Sequence, residues 1–306
     1  MNPYIGKTLG SYQIIEQIGR GGMATVFKAY QPSMDRYVAL KILPSHFTQD
    51  TTFVARFTQE ARTLARLEHP HILPVYDYGE QEGITYLVMR YIEAGTLSDL
   101  VAQHGPMSLK EVARIMGQVG RALSYAHSQG VIHRDIKPSN VLIDDQGNAF
   151  LTDFGIAKIV AGTAQFTGTG VVIGTPAYMA PEQGMGKPLD HRCDIYALGV
   201  MLYEMITGRV PFDAETPLAV MMKHVHDPLP LPRYERPDLP EVIERIILKA
   251  LAKMPEDRFQ SAEAMAETLE RAVSGLPTDV ALPPIPGGPT AVMESLSAEP
   301  SPTPEE

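Results

Sequence analysis

The sequence predicts an α+β fold in which a small β-rich lobe is followed by a larger helical lobe. Residues 12–43 alternate between apolar and polar side chains and are interrupted by turns, which is typical of short antiparallel strands joined by hairpins. From about Leu97 the apolar residues recur at helical spacing instead. The chain has 306 residues, which is enough for two packed lobes that each bury a core.

One helix is predicted among the strands of the small lobe. The apolar residues that would share one of its faces are Phe53, Phe57, Ala61, Leu64 and Leu67. Strand character returns at residues 69–80 and 84–92. These patterns together predict a small sheet with one helix packed against it.

The large lobe carries four long helical patterns, at residues 108–130, 193–208, 239–252 and 261–273. Gly130 and Gly208 stand where glycines commonly end helices. Between the first two helices, residues 140–145 and 149–155 have the pattern of short apolar strands separated by a turn.

Composition and charge argue against several classes of protein. The chain has a formal net charge of −10, whereas a nucleic-acid-binding protein of this size is usually basic. Its single cysteine, Cys193, cannot form an intramolecular disulfide, which favours a reducing compartment. The first residues lack the pattern of a signal peptide, and no apolar run is long enough for a membrane helix. We therefore expect a cytoplasmic chain without a membrane segment.

The two ends of the sequence differ from its body. Residues 1–11 form a short N-terminal extension, whereas residues 275–306 hold 8 of the 26 prolines and no lysine or arginine. The five acidic residues of this last stretch carry half of the net charge. Such a segment cannot bury enough apolar surface to offset the entropy lost on ordering, so we expect a disordered tail or linker.

A glycine-rich segment follows the first long strand. It consists of Ile18, Gly19, Arg20, Gly21, Gly22, Met23, Ala24, Thr25 and Val26. Glycine amides can cap phosphate oxygens, because the backbone approaches closely and adopts positive φ angles. A dinucleotide-binding loop would lead into a helix, but residues 25–30 have the pattern of a strand. An ordinary hairpin turn is the alternative at this point.

Two charged residues of the small lobe could act on a phosphate. Lys41 ends the strand segment Val38–Lys41 and could hold a phosphate as a compact positive charge. Glu60, on the following helix, is its natural counter-ion. In isolation, each residue would more often be a solvated surface side chain.

The densest polar cluster is the loop His133–Asn140, which lies between an apolar helix and an apolar strand. Asp135 could accept a hydroxyl proton, and Lys137 and Asn140 follow it closely. Asp153 ends the next strand, where its carboxylate could hold Mg²⁺ with Asn140 as a second oxygen ligand. A solvated polar turn does not account for these residue types at these spacings.

These motifs together resemble those of eukaryotic-type protein kinases, in particular the kinase domains of bacterial receptor-type (PASTA-bearing) serine/threonine kinases. The segments that carry the resemblance are Gly19–Val26, Val38–Lys41, His133–Asn140, Asp153–Gly155 and Ala180–Glu182. The resemblance implies the two-lobed protein-kinase fold, with a domain at residues 12–274 divided into an N-lobe at 12–90 and a C-lobe at 91–274. One departure is Ala24, which replaces the third glycine of the loop and adds only a methyl group.

The resemblance implies roles for the polar residues. Residues 18–26 would cover the ATP phosphates, and Lys41, paired with Glu60, would contact the α- and β-phosphates. Asp135 would orient the substrate hydroxyl and accept its proton, while Lys137 would steady the γ-phosphate. Asn140 and Asp153 would hold Mg²⁺, for which Mn²⁺ is an alternative.

The resemblance also implies an adenine pocket and its supports. The hinge backbone at Arg90, Tyr91 and Ile92 would bind adenine after Met89, and the ring would lie between Val26, Ala39 and Leu142. The stacked apolar residues behind the site would be Leu64, Val75, His133 and Phe154. Asp194 would anchor the catalytic loop, and Glu182 would pair with Arg258.

The substrates implied by the resemblance are serine and threonine side chains of proteins, so the chain would be a non-specific serine/threonine protein kinase. Lys137 and Thr175 match the serine/threonine form of the motifs. Thr167, Thr169 and Thr163 are candidate phosphorylation sites, because a phosphate can order a loop by pairing with basic residues. Ordinary loop threonines are the alternative.

Further implications concern partners and two competing functions. The resemblance allows a homodimer for autophosphorylation in trans, and a tail that is the juxtamembrane linker of a membrane-anchored receptor kinase. A non-catalytic pseudokinase is the first alternative, but Lys41, Asp135, Asn140 and Asp153 are all present. The second is a small-molecule kinase of related fold, such as an aminoglycoside phosphotransferase, against which the segment Ala180–Glu182 argues.

Overall fold

The computed structural model describes residues 2–21, 24–43, 51–93, 95–154, 176–278 and 281–284. The described residues form the predicted β-rich small lobe and helical large lobe. No helix among them combines the length and apolar character needed to cross a membrane.

The described residues of the small lobe form a six-stranded antiparallel sheet in the spatial order β1-β2-β3-β4-β6-β5. The strands are β1 (Thr8–Leu9), β2 (Tyr12–Arg20), β3 (Thr25–Gln31), β4 (Arg36–Ile42), β5 (Val75–Gln81) and β6 (Ile84–Arg90). Alternation along the central strands buries Phe27, Val38 and Leu40 on one face. On the other face, Ala39 and Met89 join the core that continues into the large lobe.

The residues before Tyr12 are built into this sheet. Strand β1 pairs with β2, and the Tyr4 ring packs edge-on against Phe27 at a centroid distance of 5.9 Å. The N-terminal extension therefore adds an edge strand to the small lobe.

Helix α1 (Thr51–Leu64) is the predicted helix of the small lobe. Its residues Phe57, Ala61 and Leu64 are buried, as their spacing predicted. Leu67 is also buried but lies beyond the end of the helix.

The described residues of the large lobe form helices and one hairpin. Its described helices are α2 (Leu97–His104), α3 (Leu109–Ser128), α4 (Pro181–Gly184), α5 (Arg192–Thr207), α6 (Pro217–His226), α7 (Pro232–Glu235), α8 (Glu241–Ala250) and α9 (Ala262–Val273). Helix α5 is buried along almost its whole length, so it forms the centre of this lobe. It ends at Gly208, whose φ of 81° suits a residue without a Cβ.

The hairpin consists of β7 (Val141–Ile143) and β8 (Ala149–Leu151). Its turn is held by Asp144, which accepts hydrogen bonds from the amides of Gln146 and Asn148. Leu151 exchanges backbone hydrogen bonds with His71 and Leu73, in the segment that leads into β5. The hairpin is thereby fixed against the small lobe, and the chain leaves β8 directly into the cleft between the lobes.

Part of the predicted tail lies on the helical lobe. The Arg245 guanidinium donates to the carbonyls of Leu282 and Pro283 at 2.7 and 2.8 Å, and Arg271 donates to that of Pro277 at 2.7 Å. Residues 285–306 lie outside the described residues, so their disorder stays a prediction.

Candidate active site

Residues of both lobes meet at the end of β8. Lys41 on β4 places its Nζ 2.8 Å from Oδ1 of Asp153, which follows β8. Desolvation raises the pKa of Asp153, but the Lys41 ammonium outweighs this effect and holds the pKa below its usual value. This ion pair joins the two lobes.

The predicted partner of Lys41 was Glu60. In the structure Lys41 pairs with Asp153, and the side chain of Glu60 lies outside the described residues. A pair between Lys41 and Glu60 therefore stays a prediction.

The loop between α3 and β7 brings Asp135, Lys137 and Asn140 together. Lys137 Nζ lies 2.9 Å from Asp135 Oδ2, and Asn140 Nδ2 donates to the carboxylate and the backbone carbonyl of Asp135 at 3.1 and 2.8 Å. The amide of Thr152 donates to the carbonyl of Asn140 at 3.0 Å. This last bond ties the loop to the strand that carries Asp153.

His133 supports the same loop from beneath. Its ring is fully buried, and burial lowers its pKa. Nδ1 accepts the amide hydrogen of Asp135 at 3.2 Å, and Nε2 lies 2.9 Å from the carbonyl of Thr152. Because a carbonyl can only accept, the neutral ring carries its proton on Nε2.

Asp194 at the start of α5 anchors the loop, as predicted. Its two carboxylate oxygens accept the amide hydrogens of His133 and Arg134 at 2.8 and 2.7 Å. Burial acts to raise the pKa of Asp194, but its hydrogen-bond donors and nearby histidines hold the pKa below its usual value.

Two residues of the site have left-handed backbone conformations. Arg134 has a φ of 64° and Asp153 a φ of 60°, a region that residues other than glycine rarely adopt. Each is held by strong bonds, from the Arg134 amide to Asp194 and from Lys41 to the Asp153 carboxylate. Such strain is concentrated at functional sites.

The glycine-rich segment closes the hairpin between β2 and β3. Gly19 pairs with Val26, and the amide of Gly21 donates to the carbonyl of Ala24 at 2.9 Å. Ile18 and Arg20 end β2, and Thr25 begins β3. Gly22 and Met23, at the tip, lie outside the described residues.

The residues predicted to hold adenine lie on one face of the sheet and on the hairpin below it. Ala39 pairs directly with Met89, and Val26 with Lys41. Leu142 lies on β7, and Arg90, Tyr91 and Ile92 lead from β6 towards the large lobe. Val26, Ile92 and Leu142 are partly buried and pack against the core that contains Ala39 and Met89, so an adenine pocket between them stays a prediction.

The predicted apolar stack lies behind the cleft between the lobes. Leu64, Val75 and Phe154 line a cavity of about 20 Å³ together with Met89. The Phe154 ring lies 4.6 Å from the His133 ring, centroid to centroid. The four stacked residues are thus in place, and they link α1 and β5 to the catalytic loop.

The segment after Phe154 is described only from Pro176. Gly155, Thr163, Thr167, Thr169 and Thr175 lie outside the described residues, so their roles stay predictions. The predicted pair of Glu182 and Arg258 is present, with two bonds of 2.7 Å between the carboxylate and the guanidinium. It fixes α4, which begins within the motif Ala180–Glu182.

Sequence reasoning missed two supports of the site. His127 on α3 lies 2.8 Å from Asp194 Oδ2, so it is a third donor to that carboxylate. The Tyr178 hydroxyl donates to the Glu204 carboxylate, and burial raises the pKa of Glu204. His127 ends an amphipathic helix close to the catalytic loop, which is the only signal that the sequence offers for it.

Comparison with protein families places most of the chain in one family. The family model described as protein kinase domain matches residues 12–269. The match includes both lobes and every residue of the described site.

Curated relatives are bacterial proteins named as serine/threonine-protein kinases. The chain is 43% identical over 269 residues to serine/threonine-protein kinase PrkC of Bacillus subtilis, which covers 88% of this chain and 41% of that protein. It is 40% identical over 273 residues to serine/threonine-protein kinase PknB of Mycobacterium leprae, covering 88% of this chain and 44% of that protein. The chain thus spans about two fifths of the length of these relatives.

A similar solved structure is the PknI kinase domain of Mycobacterium tuberculosis. It has a TM-score of 0.71 and 31% sequence identity, and the match covers 89% of this chain and 99% of that one. The chain therefore has the fold of that kinase domain.

Proposed function

Because the chain belongs to the protein kinase family, we propose that it transfers the γ-phosphoryl group of ATP to serine and threonine hydroxyls of proteins. The observation that carries the proposal is the ion pair between Lys41 and Asp153 beside the anchored group of Asp135, Lys137 and Asn140. The names of the relatives and the serine/threonine form of the loop at Lys137 support the substrate class.

Asp135 would orient the substrate hydroxyl and take its proton. Lys137 and Asn140 both contact Oδ2 of its carboxylate, so the carboxylate is held before a substrate binds. Lys137 brings a positive charge to the same point, where it would balance the charge that develops on the transferred group.

Lys41 would contact the phosphates next to the transferred group. Its ammonium is already fixed by Asp153, so little ordering of the side chain is needed when ATP binds. The glycine-rich hairpin would cover the same phosphates from above, and Val26, Ala39 and Leu142 would enclose the adenine.

The donors present fit a hard divalent cation. Asp153 and Asn140 offer side-chain oxygen atoms, and the bonds from Asn140 to Asp135 are made by its Nδ2 and not by its oxygen. Mg²⁺, or Mn²⁺ in its place, would neutralise phosphate charge there.

Regulation and assembly form the finer part of the proposal. Phosphorylation of Thr167, Thr169 or Thr163 by a second copy of the chain, in a homodimer, would shift the chain towards its active state. The resemblance to receptor-type kinases supports a further role for the chain, as the intracellular kinase part of a membrane-anchored receptor.

The test is intact-mass measurement and peptide mapping after incubation with Mg²⁺ and ATP. We expect the wild type to gain phosphate on the three threonines. Asp135→Asn and Lys41→Met should each lower turnover by a factor on the order of 10² to 10⁴ while the protein stays folded. Lys110→Met, at an exposed position of α3, is the matched control for Lys41→Met.

Two results would contradict the proposal. Wild-type rates in Asp135→Asn would exclude Asp135 from the chemistry. Failure of the wild type to phosphorylate itself or a general protein substrate would leave a nucleotide-binding scaffold as the function.

A further inference from the structure

Lys28 lies on the same face of the sheet as the predicted adenine pocket. It pairs directly with Ala39 across β3 and β4, and it follows Val26 by two residues on β3. Directly paired residues, and residues two apart on one strand, project from the same face. Lys28 therefore extends the wall formed by Val26 and Ala39 towards the outer end of the pocket.

The ammonium of Lys28 is enclosed by groups from several parts of the small lobe and the hinge. Its Nζ lies 4.7 Å from the ring centroid of Tyr37 and 4.8 Å from that of Tyr91. The carboxylates of Glu16 and Glu93 each approach to 3.9 Å. Tyr37 and Glu16 belong to the sheet, whereas Tyr91 and Glu93 belong to the hinge.

This environment differs from that of an ordinary strand lysine. The Lys28 side chain is only 17% exposed, although an ammonium is strongly hydrated in water. Cation–π attraction grows as water is removed, and here the rings of Tyr37 and Tyr91 cover much of the Lys28 side chain, while the two carboxylates stay largely exposed. The attraction between Lys28 and Tyr91 is strongest when Tyr91 keeps its position against the sheet.

We infer that Lys28 is a positioning residue, which holds the hinge against the sheet and so sets the affinity for the adenine end of the nucleotide. This inference rests on the proposed function. The backbone of Arg90, Tyr91 and Ile92 would bind adenine, and Lys28 restricts the orientations of that backbone in the free protein. Ordering the hinge then costs less free energy when the nucleotide binds.

The experiment compares Lys28→Met, Lys28→Arg and the control Lys110→Met. Methionine keeps the length of the apolar stem and removes the charge, whereas arginine keeps a cation that stacks on aromatic rings. For each variant the dissociation constants of adenosine and of Mg²⁺–ATP are measured by calorimetry, together with kcat and the melting temperature.

We expect Lys28→Met to raise the dissociation constants of adenosine and ATP by the same factor, about three- to tenfold, with kcat close to that of the wild type. Lys28→Arg should stay within about twofold of the wild type. A second variant, Tyr37→Leu, removes one ring without changing a hinge residue. It should raise both dissociation constants by a smaller factor.

Three outcomes would overturn the inference. A lower affinity for ATP with an unchanged affinity for adenosine would mean that Lys28 acts on the phosphates through its charge. Unchanged affinities in Lys28→Met and Tyr37→Leu would mean that the hinge needs no such support. Failure of the wild type to bind either ligand would overturn the proposed function itself, and the inference with it.

Discussion

Asp194 accepts hydrogen bonds from two consecutive backbone amides and from the His127 imidazole, at a position without access to solvent. The amide bonds fix the backbone on both sides of the peptide between His133 and Arg134, which accounts for the positive φ of Arg134. Bonds to an ionised acceptor are stronger than bonds to a neutral one, so a carboxylate is well suited to hold this strain.

His224 on α6 provides a pH test of another buried side chain. Burial and the nearby charge of Lys253 lower the pKa of His224 to about 4, and its Nδ1 lies 2.9 Å from the Tyr196 hydroxyl. The unfolded chain protonates this ring near its ordinary pKa of about 6.5. Between these values the unfolded state binds more protons, so the free energy of unfolding falls as the pH drops from about 6.5 to about 4.

We expect His224 to contribute on the order of 2 kcal/mol to this fall. Urea unfolding of the wild type and of His224→Gln, measured at several pH values, separates its contribution from those of other groups. As the pH falls, the free energy of unfolding should decrease more steeply in the wild type than in His224→Gln. A difference that stays constant across this range would contradict the assignment.

The bond between Glu182 and Arg258 connects α4 with the loop that follows α8. Arg258 is 1% exposed, and its guanidinium also donates to the carbonyls of Ala252, Lys253 and Arg192. All of its N–H groups therefore have acceptors, which satisfies the requirement for burying this charge.

Arg258→Ala should lower the free energy of unfolding by about 3–5 kcal/mol, because it leaves the Glu182 carboxylate buried without its partner. The double variant Glu182→Met/Arg258→Met should lose less than Arg258→Ala, because no unpaired charge remains. Chemical denaturation of the three proteins measures both effects. A loss below about 1 kcal/mol in Arg258→Ala would mean that water reaches Glu182 and replaces the guanidinium.

The order of strands and helices followed from local patterns, whereas several contacts of the site did not. Alternation along residues 12–43 predicted the strands of the small lobe, because strand periodicity is local, whereas the residues expected to face the cleft came from the resemblance to protein kinases. The pairing of Lys41 with Asp153 joins residues 112 positions apart, and Lys28 reaches Tyr91 across two strands. Only the resemblance to a known fold could bring such distant residues together before the structure did.

Residues 281–284 pack on the large lobe, beyond residue 274, where the sequence predicted that the kinase domain ends. Leu282 packs against the core of the large lobe, and its carbonyl is held by Arg245 on α8. A boundary at residue 274 therefore cuts through a packed contact.

A chain that ends after Ser274 should unfold more readily than one that ends after Pro284, by about 1–3 kcal/mol. The reason is that Arg245 loses two carbonyl acceptors and Leu282 no longer covers the core. Thermal and urea unfolding of the two truncated proteins tests this, with Arg245→Gln in the full chain as an independent variant. Identical unfolding midpoints for the two truncated proteins would refute the prediction.

The left-handed conformations of Arg134 and Asp153 bear on how the protein would respond to laboratory evolution. Glycine at such a position relieves backbone strain of about 1 kcal/mol or more, and asparagine tolerates the conformation well. At residue 153 such a replacement would also remove the carboxylate that binds Lys41, so a library selected for heat resistance alone would set the relief of strain against the loss of this ion pair. Under the proposed function, a selection that also scores phosphate transfer would retain the aspartate.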